Sequence, residues 1–366
     1  MKRLLFFCIT ILLFAFSCFS AYAQKKSDAI NKKQDSIYLK RENYVLSART
    51  KLTIFIFANR YLNGNLFTNP GINSYYFPIA PLNIGLGFSH KWLAVNVAIL
   101  SPRIGKNNYT GEGEKYSNFN LQALAYTHKY GLDVIYSKNV GYFLGNYNNY
   151  VNVTDVPDKT PYFDMSTRRL TVNLLRIFNP IKYSMNATMI GGEMQKNNAS
   201  SFIFNTSFSM SKFDMGDSIP SFVAAQSNPD LIFRSGTFYS VGLLPGYGFT
   251  WIINKRFYIG IIPSFGPSIQ YKSMNFETEH DERFAISYRI LAKAGVGFHA
   301  KKWTAGLSVL FDSERYHLGP ETNIINNNGK VTLRVGYKIN VPKWGKGLSK
   351  KMTNLQNSAE HTLHNF

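Results

Sequence analysis

The chain has 366 residues, 15 % of them aromatic and 17 % charged, with a formal net charge of +20 and a mean hydropathy of -0.16. So few charges beside so many aromatic side chains suit a sheet-rich protein better than a helical one, and the slightly negative hydropathy speaks against a helical inner-membrane protein. What remains is a sheet-rich protein whose apolar residues alternate with polar ones.

Lys2-Arg3, the apolar run Leu4–Ser20 and Ala21-Tyr22-Ala23 form a positive n-region, an h-region and an A-x-A cleavage site, which predicts a signal peptide over residues 1–23, cut before Gln24. Cys8 and Cys18 leave with it, so the mature chain carries no disulfide, thiol nucleophile or cysteine metal site. Loss of Lys2 and Arg3 lowers the net charge to +18, an excess that suits an anionic partner such as lipid phosphates or an acidic solute, and equally suits solvated loops and tails. Residues 24–44 are polar and lysine-rich, a flexible periplasmic lead-in.

Residues 45–341 are expected to form an all-β, antiparallel transmembrane barrel. The stretch Pro81–Leu100 sets its pattern. Leu82, Ile84, Leu86 and Phe88 point one way and Asn83, Gly85, Gly87 and Ser89 the other, the period of a half-buried strand. After a two-residue turn at His90-Lys91, Leu93, Val95, Val97 and Ile99 resume the apolar face. A hairpin pairing Ser89 with Trp92 shows both apolar faces to one medium, read as lipid.

Further strands follow at 51–60, 118–126, 132–136, 169–178, 183–195, 201–211, 239–251, 257–271, 283–299, 303–312 and 330–341. Short turns alternate with long loops near 62–80, 102–115 and 142–166, as a barrel with periplasmic turns and external loops requires. Thirteen clear strands would leave the termini on opposite sides. A weak strand within Ile219–Gln226 makes fourteen, and twelve is the count if two marginal segments are loops. Tyr76, Trp92, Tyr136, Trp251 and Trp303 fall near strand ends, where an aromatic girdle belongs. The polar tail 342–366 hangs in the periplasm or folds back as a plug.

LTIFIFANRY, YYFPIAPLNIGLGFSHKWLAVNVAI, GGEMQKNNASSFIF, MGDSIPS, and GYGFTW followed by RFYIG together resemble a Bacteroidetes-type outer-membrane barrel family known as a domain of unknown function. The resemblance runs from about Val45 to Val341 and implies a porin-like barrel with no catalytic residues to transfer. LRVGYKI, Leu333–Ile339, resembles the final-strand signal that barrel-assembly machinery reads.

Pairing His299 with Lys302 places Arg289 opposite Asp312 and Lys293 opposite Ser308, all facing inward. Arg334 and Lys338 share that parity. The predicted lumen stripe is therefore Arg289, Lys293, Arg334 and Lys338, with Asp312 and Asp133 as counter-charges. Such a stripe biases a pore towards anions, or it cross-links a narrow lumen as structural ion pairs. A second polar cluster, Glu193, Gln195 and Lys196, follows Gly191-Gly192. Strict alternation would turn Glu193 and Gln195 to lipid unless the glycines make a bulge at the rim.

The leading expectation is a structural or porin-like outer-membrane barrel, the latter passing or binding small anionic solutes. Its rival is a surface-interaction protein that displays the long loops. An enzyme is not expected, a lipid- or glycan-modifying barrel being the remote alternative: His128, His299 and His317 stand beside no serine in a recognisable motif. No cofactor, metal site or nucleic-acid module is expected. The expected partners are outer-membrane lipid and lipopolysaccharide, and the barrel-assembly machinery.

Overall fold

A computed structural model describes residues 40–47, 51–69, 72–78, 82–100, 117–145, 160–216, 232–300, 302–319, 322–342, 347, 349–352 and 354. The expected leader, most of the lead-in, the loop 102–115 and the strand within 219–226 lie outside these residues.

In chain order the strands are β1 (Val45–Ser47), β2 (Lys51–Tyr61), β3 (Gly64–Asn69), β4 (Ile72–Pro78), β5 (Leu82–His90), β6 (Leu93–Leu100), β7 (Ser117–Tyr126) and β8 (Tyr130–Gly145). Then come β9 (Thr160–Ile177), the helix α1 (Met185–Met189), β10 (Glu193–Gln195), β11 (Ala199–Asp214), β12 (Phe233–Ile253), β13 (Phe257–Phe276), β14 (His280–His299), β15 (Trp303–His317) and β16 (Asn323–Asn340). All but β1 and β10 belong to one antiparallel sheet of 14 strands, the expected number.

That sheet closes on itself twice. β2, β5, β6, β7, β8, β9 and β11 to β16 form a ring of twelve, with β16 returning to β2. At the loop end β16 leaves β2 and pairs through Asn323–Asn327 with β3, while β8 leaves β7 and pairs through Tyr142–Gly145 with β4. The hairpin β3–β4 thus takes the place of four strands, and the upper ring has ten. The segment 62–80, expected as a loop, holds this hairpin. Gly141, at φ 87, marks the bulge where β8 changes partner.

Outward and inward faces follow the predicted alternation. Ile54, Ile56, Leu86, Phe88, Val241 and Leu243 are exposed on the wall, whereas Asn59, Asn83, Ser89, Asn205 and Ser240 are buried within. On β12 the outward apolar residues run from Trp251 to Tyr239, which at ~3.3 Å per residue and a tilt of about 40° spans roughly 30 Å of bilayer. Beyond Tyr239 the outward residues turn polar with Thr237 and Ser235, so the strands continue about 15 Å past the apolar band.

Two hairpins differ from expectation by two residues of register. His90 pairs with Leu93 and Phe88 with Val95, which makes Lys91-Trp92 the turn. Likewise His299 pairs with Thr304, so Arg289 stands opposite Glu314, Leu291 opposite Asp312, and Lys293 opposite Leu310. Each shift is two residues, so no side chain changes face.

The expected strand 183–195 is absent. After β9 the chain turns inside, forms α1 and returns as β10, which pairs with β1 in a two-stranded sheet apart from the wall. Its removal from the thirteen clear strands leaves twelve, which puts both ends of the barrel chain, Lys51 and Asn340, side by side. Of the expected girdle, Trp251 and Trp303 are exposed on the wall, but Tyr76 is buried in the upper ring.

Candidate functional site

The lumen is filled in three layers. At the turn end sits the segment 183–192. Ser184 caps α1 by accepting the Ala187 N–H at 3.0 Å, and Gly191 ends it at φ +79, with its N–H on Asn186 O at 2.8 Å. All five residues of the helix are buried. Opposite sides of the barrel hold it: Asn186 donates to Lys91 O at 2.9 Å, Thr188 meets the Thr250 hydroxyl at 3.2 Å, and Arg334 donates to Met189 O.

His299 approaches Ala187 O with Nε2 at 3.3 Å and stacks on Tyr258 at 4.9 Å. Tyr183, fully buried beside this helix, has its phenol pushed well above the ordinary value by burial. A Cβ on Gly260 would lie 2.0 Å from Thr188 Cγ2. Gly260→Val should therefore expel the plug while the wall persists. Tryptic cleavage after Lys182 and Lys196, followed on the folded barrel, should rise at least about tenfold; unchanged cleavage would mean the helix has room to yield.

The rim cluster anchors this plug. Glu193 accepts from Arg41 and from Ser184, Gln195 Oε1 accepts the Ser184 N–H at 3.0 Å, and Lys196 N donates to Tyr44 O at 2.7 Å. Glu193 and Gln195 are buried and face no lipid: residues 183–192 are not a wall strand, so strict alternation does not reach them. The residues before the barrel are thereby tied to the plug. On the tail, Ser349 Oγ meets His90 Nε2 at 3.0 Å and Met352 O accepts the Trp92 indole N–H at 3.0 Å, so this part docks on the β5–β6 turn.

The middle layer is ionic. Arg289 donates to Asp312 through Nε at 2.8 Å and Nη2 at 2.7 Å; Arg169 reaches Asp312 at 2.9 Å and Glu314 at 3.3 Å. Ser209 and Tyr316 hydroxyls donate to Glu314 at 3.0 and 2.9 Å. Two guanidiniums and two carboxylates thus balance, with Arg289 0 % exposed. Lys293 crosses the lumen to Asp133. A half-open pocket of about 40 Å³ remains beside the quartet, bordered by Ser137, Arg169, Asp312 and Lys330, room for a few waters.

The predicted stripe therefore faces the lumen but is not continuous. Arg289 with Asp312, and Lys293 with Asp133, form separate pairs. Arg334 serves the plug, and Lys338 lies at the rim, 3.4 Å from Ala300 O. Arg169 and Glu314 were missed. Extending the inward parity from Asp312 by one step gives Glu314, and Arg169 shares the face of Thr171 and Asn173.

The third layer, at the loop end, is apolar. Tyr142, Phe213, Phe238, Met274, Tyr316 and Ile324 lead a buried cluster to which the β3–β4 hairpin adds Tyr76 and Phe67. Phe238 and Tyr316 pack at 4.6 Å.

A closed antiparallel wall with an apolar exterior around a hydrogen-bonded interior defines a transmembrane β-barrel of the outer-membrane type. Within that class, residues 33–339 match the domain of unknown function (DUF4421), and the chain belongs to that family. Among solved structures it is similar to the β domain of the Bordetella autotransporter BrkA, at 11% identity and TM-score 0.34, covering 79% of this chain and 99% of that one. It is also similar to the attachment invasion locus protein Ail of Yersinia pestis (11%, TM-score 0.22, covering 80% and 99%). A third likeness is to the toluene transporter TodX of Pseudomonas putida (8%, TM-score 0.24, covering 78% and 89%). These likenesses are of fold alone. No curated protein matches the chain.

Proposed function

We propose that this protein is a sealed, non-catalytic outer-membrane barrel of structural role, exported by a leader cleaved before Gln24, that raises its loop end above the outer leaflet. The short turns and both barrel termini then face the periplasm. The observation that carries the reading is the filled lumen: a plug at one end, an apolar cluster at the other and a neutral ionic quartet between them. Free passage of small anions needs a continuous water path and cations open to the solute. Here Arg289 and Lys293 are engaged by carboxylates and Arg334 by the plug's carbonyls. The strands that continue past the apolar band support display of the loop end at the surface.

Planar-bilayer recording tests this. The full chain, and a chain ending at Pro342, should both give no sustained conductance steps. Stable ohmic steps from either would overturn the sealed reading, and a changed reversal potential on Lys293→Glu with Arg334→Glu would then place those residues in the pathway.

A further inference from the structure

The outer wall carries one arrangement that a sealed barrel does not require. Lys138 on β8 is the register partner of Arg168 on β9, and Arg168 is the partner of Lys212 on β11. All three have the outward parity, Arg168 and Lys212 exposed and Lys138 half-buried. Like charges directly opposite on neighbouring strands repel. None of the three forms an ion pair with a described residue. The outward carboxylates nearby, Asp214 and Asp164, lie farther from the apolar band, and Asp214 Oδ1 accepts the Gly216 N–H at 3.2 Å.

The level of the cations identifies what neutralises them. Two residues nearer the bilayer, the same strands present Tyr136, Leu170 and Met210 in register, continued by Tyr239 on β12. Tyr239 ends the apolar band, and Lys212 pairs with Thr237, the first polar outward residue beyond it. On strands tilted about 40° register partners differ in height by about 3 Å per strand, so the three cations lie within about 6 Å of one another along the membrane normal, in the interfacial zone at the loop end, over an apolar wall that acyl chains cover. Adjacent strands are ~4.8 Å apart, so the three charges span about 10 Å, the breadth of a phosphorylated disaccharide headgroup.

We infer that Lys138, Arg168 and Lys212 form a binding site for the phosphate of an outer-leaflet glycolipid of the lipid A type, whose acyl chains lie along Leu170, Met210 and Tyr239. Arg168, in the centre, grips phosphate oxygens with its planar fork while the lysines flank it as point charges. The inference rests on the outer-membrane orientation proposed above and goes beyond it by naming a lipid and its contacts.

Native mass spectrometry of the full barrel released from nanodiscs of phosphatidylcholine and lipid A in equal amounts reads which lipid stays bound. Wild type should retain lipid A and release lipid A stripped of its phosphates, although the acyl chains are the same. Added inorganic phosphate should not displace it. The triple variant Lys138→Gln, Arg168→Gln, Lys212→Gln should retain lipid A about a hundredfold less at low salt, whereas Arg60→Gln, an outward cation elsewhere on the wall, should match wild type. Retention by the triple variant equal to wild type would overturn the site, as would equal retention of the dephosphorylated lipid, a measurement that needs no variant to fold. A silent barrel that does not select lipid A refutes this site alone; a conducting barrel that does select it refutes the sealed reading alone.

Discussion

Asp312→Ala should cost the folded barrel about 3–5 kcal/mol, the penalty of leaving buried charges without their partner. Asp312 receives three hydrogen bonds from two guanidiniums, at 2.7, 2.8 and 2.9 Å, and is itself buried. Without it, Arg169 and Arg289 share one carboxylate, Glu314, at 3.3 and 3.8 Å. The adjoining pocket of about 40 Å³ admits a few waters, too few to solvate two guanidiniums as bulk water would.

Urea unfolding in lipid vesicles, followed by the electrophoretic shift between folded and unfolded barrel, measures the loss. The double variant Arg289→Met, Asp312→Leu removes one charge of each sign and leaves Arg169 with Glu314. It should recover most of the stability, since apolar residues of like volume commonly replace a buried pair without loss. A loss below about 1 kcal/mol in Asp312→Ala would put the quartet among solvent-screened pairs and open the lumen to water.

The wall was legible from the sequence because its signal is two-residue alternation, which any even error of register preserves. Both misplaced hairpins show this. Lys91 takes the turn at φ 54, a left-handed conformation that a lysine side chain does not advertise, and the register moved by two without turning a side chain over. The inward parity of Arg289, Lys293, Arg334 and Lys338 survived for the same reason. Which carboxylate met which cation did not, because side chains crossing a lumen join strands far apart in sequence: Lys293 reaches Asp133 and Arg169 reaches Asp312.

The plug was illegible for a different cause. Met185 and Met189 are four apart, a spacing that suits one face of a helix as well as one face of a strand, and five helical residues are too few for the period to decide. Better signals were the cap at Ser184, the glycine stop at Gly191-Gly192, and the odd strand count that one false strand produces. The β3–β4 hairpin lay hidden in a stretch rich in Asn, Tyr and Gly, where turn composition outweighed the short apolar alternation of Leu66, Tyr76 and their neighbours.

Replacing residues 183–192 with a glycine-serine linker should expose the turn end of the lumen and leave the barrel closed. A mature chain beginning at Gln24 has no cysteine, so single cysteines report access cleanly. Thr250, fully buried, touches the plug through Thr188 at 3.2 Å. Thr250→Cys should react with a membrane-impermeant maleimide on the order of a hundredfold faster in the linker barrel than in the intact one, the factor set by about 2.7 kcal/mol of opening free energy. Ser209→Cys, beyond Thr250 at the level of Glu314, should stay inert in both, because the ionic layer of Arg169, Arg289, Asp312 and Glu314 that surrounds it does not depend on the plug. Fast labelling of Thr250→Cys in the intact barrel would show that α1 does not seal the periplasmic end. Fast labelling of Ser209→Cys would show a lumen wet along its length, and the layered interior would no longer explain a silent barrel.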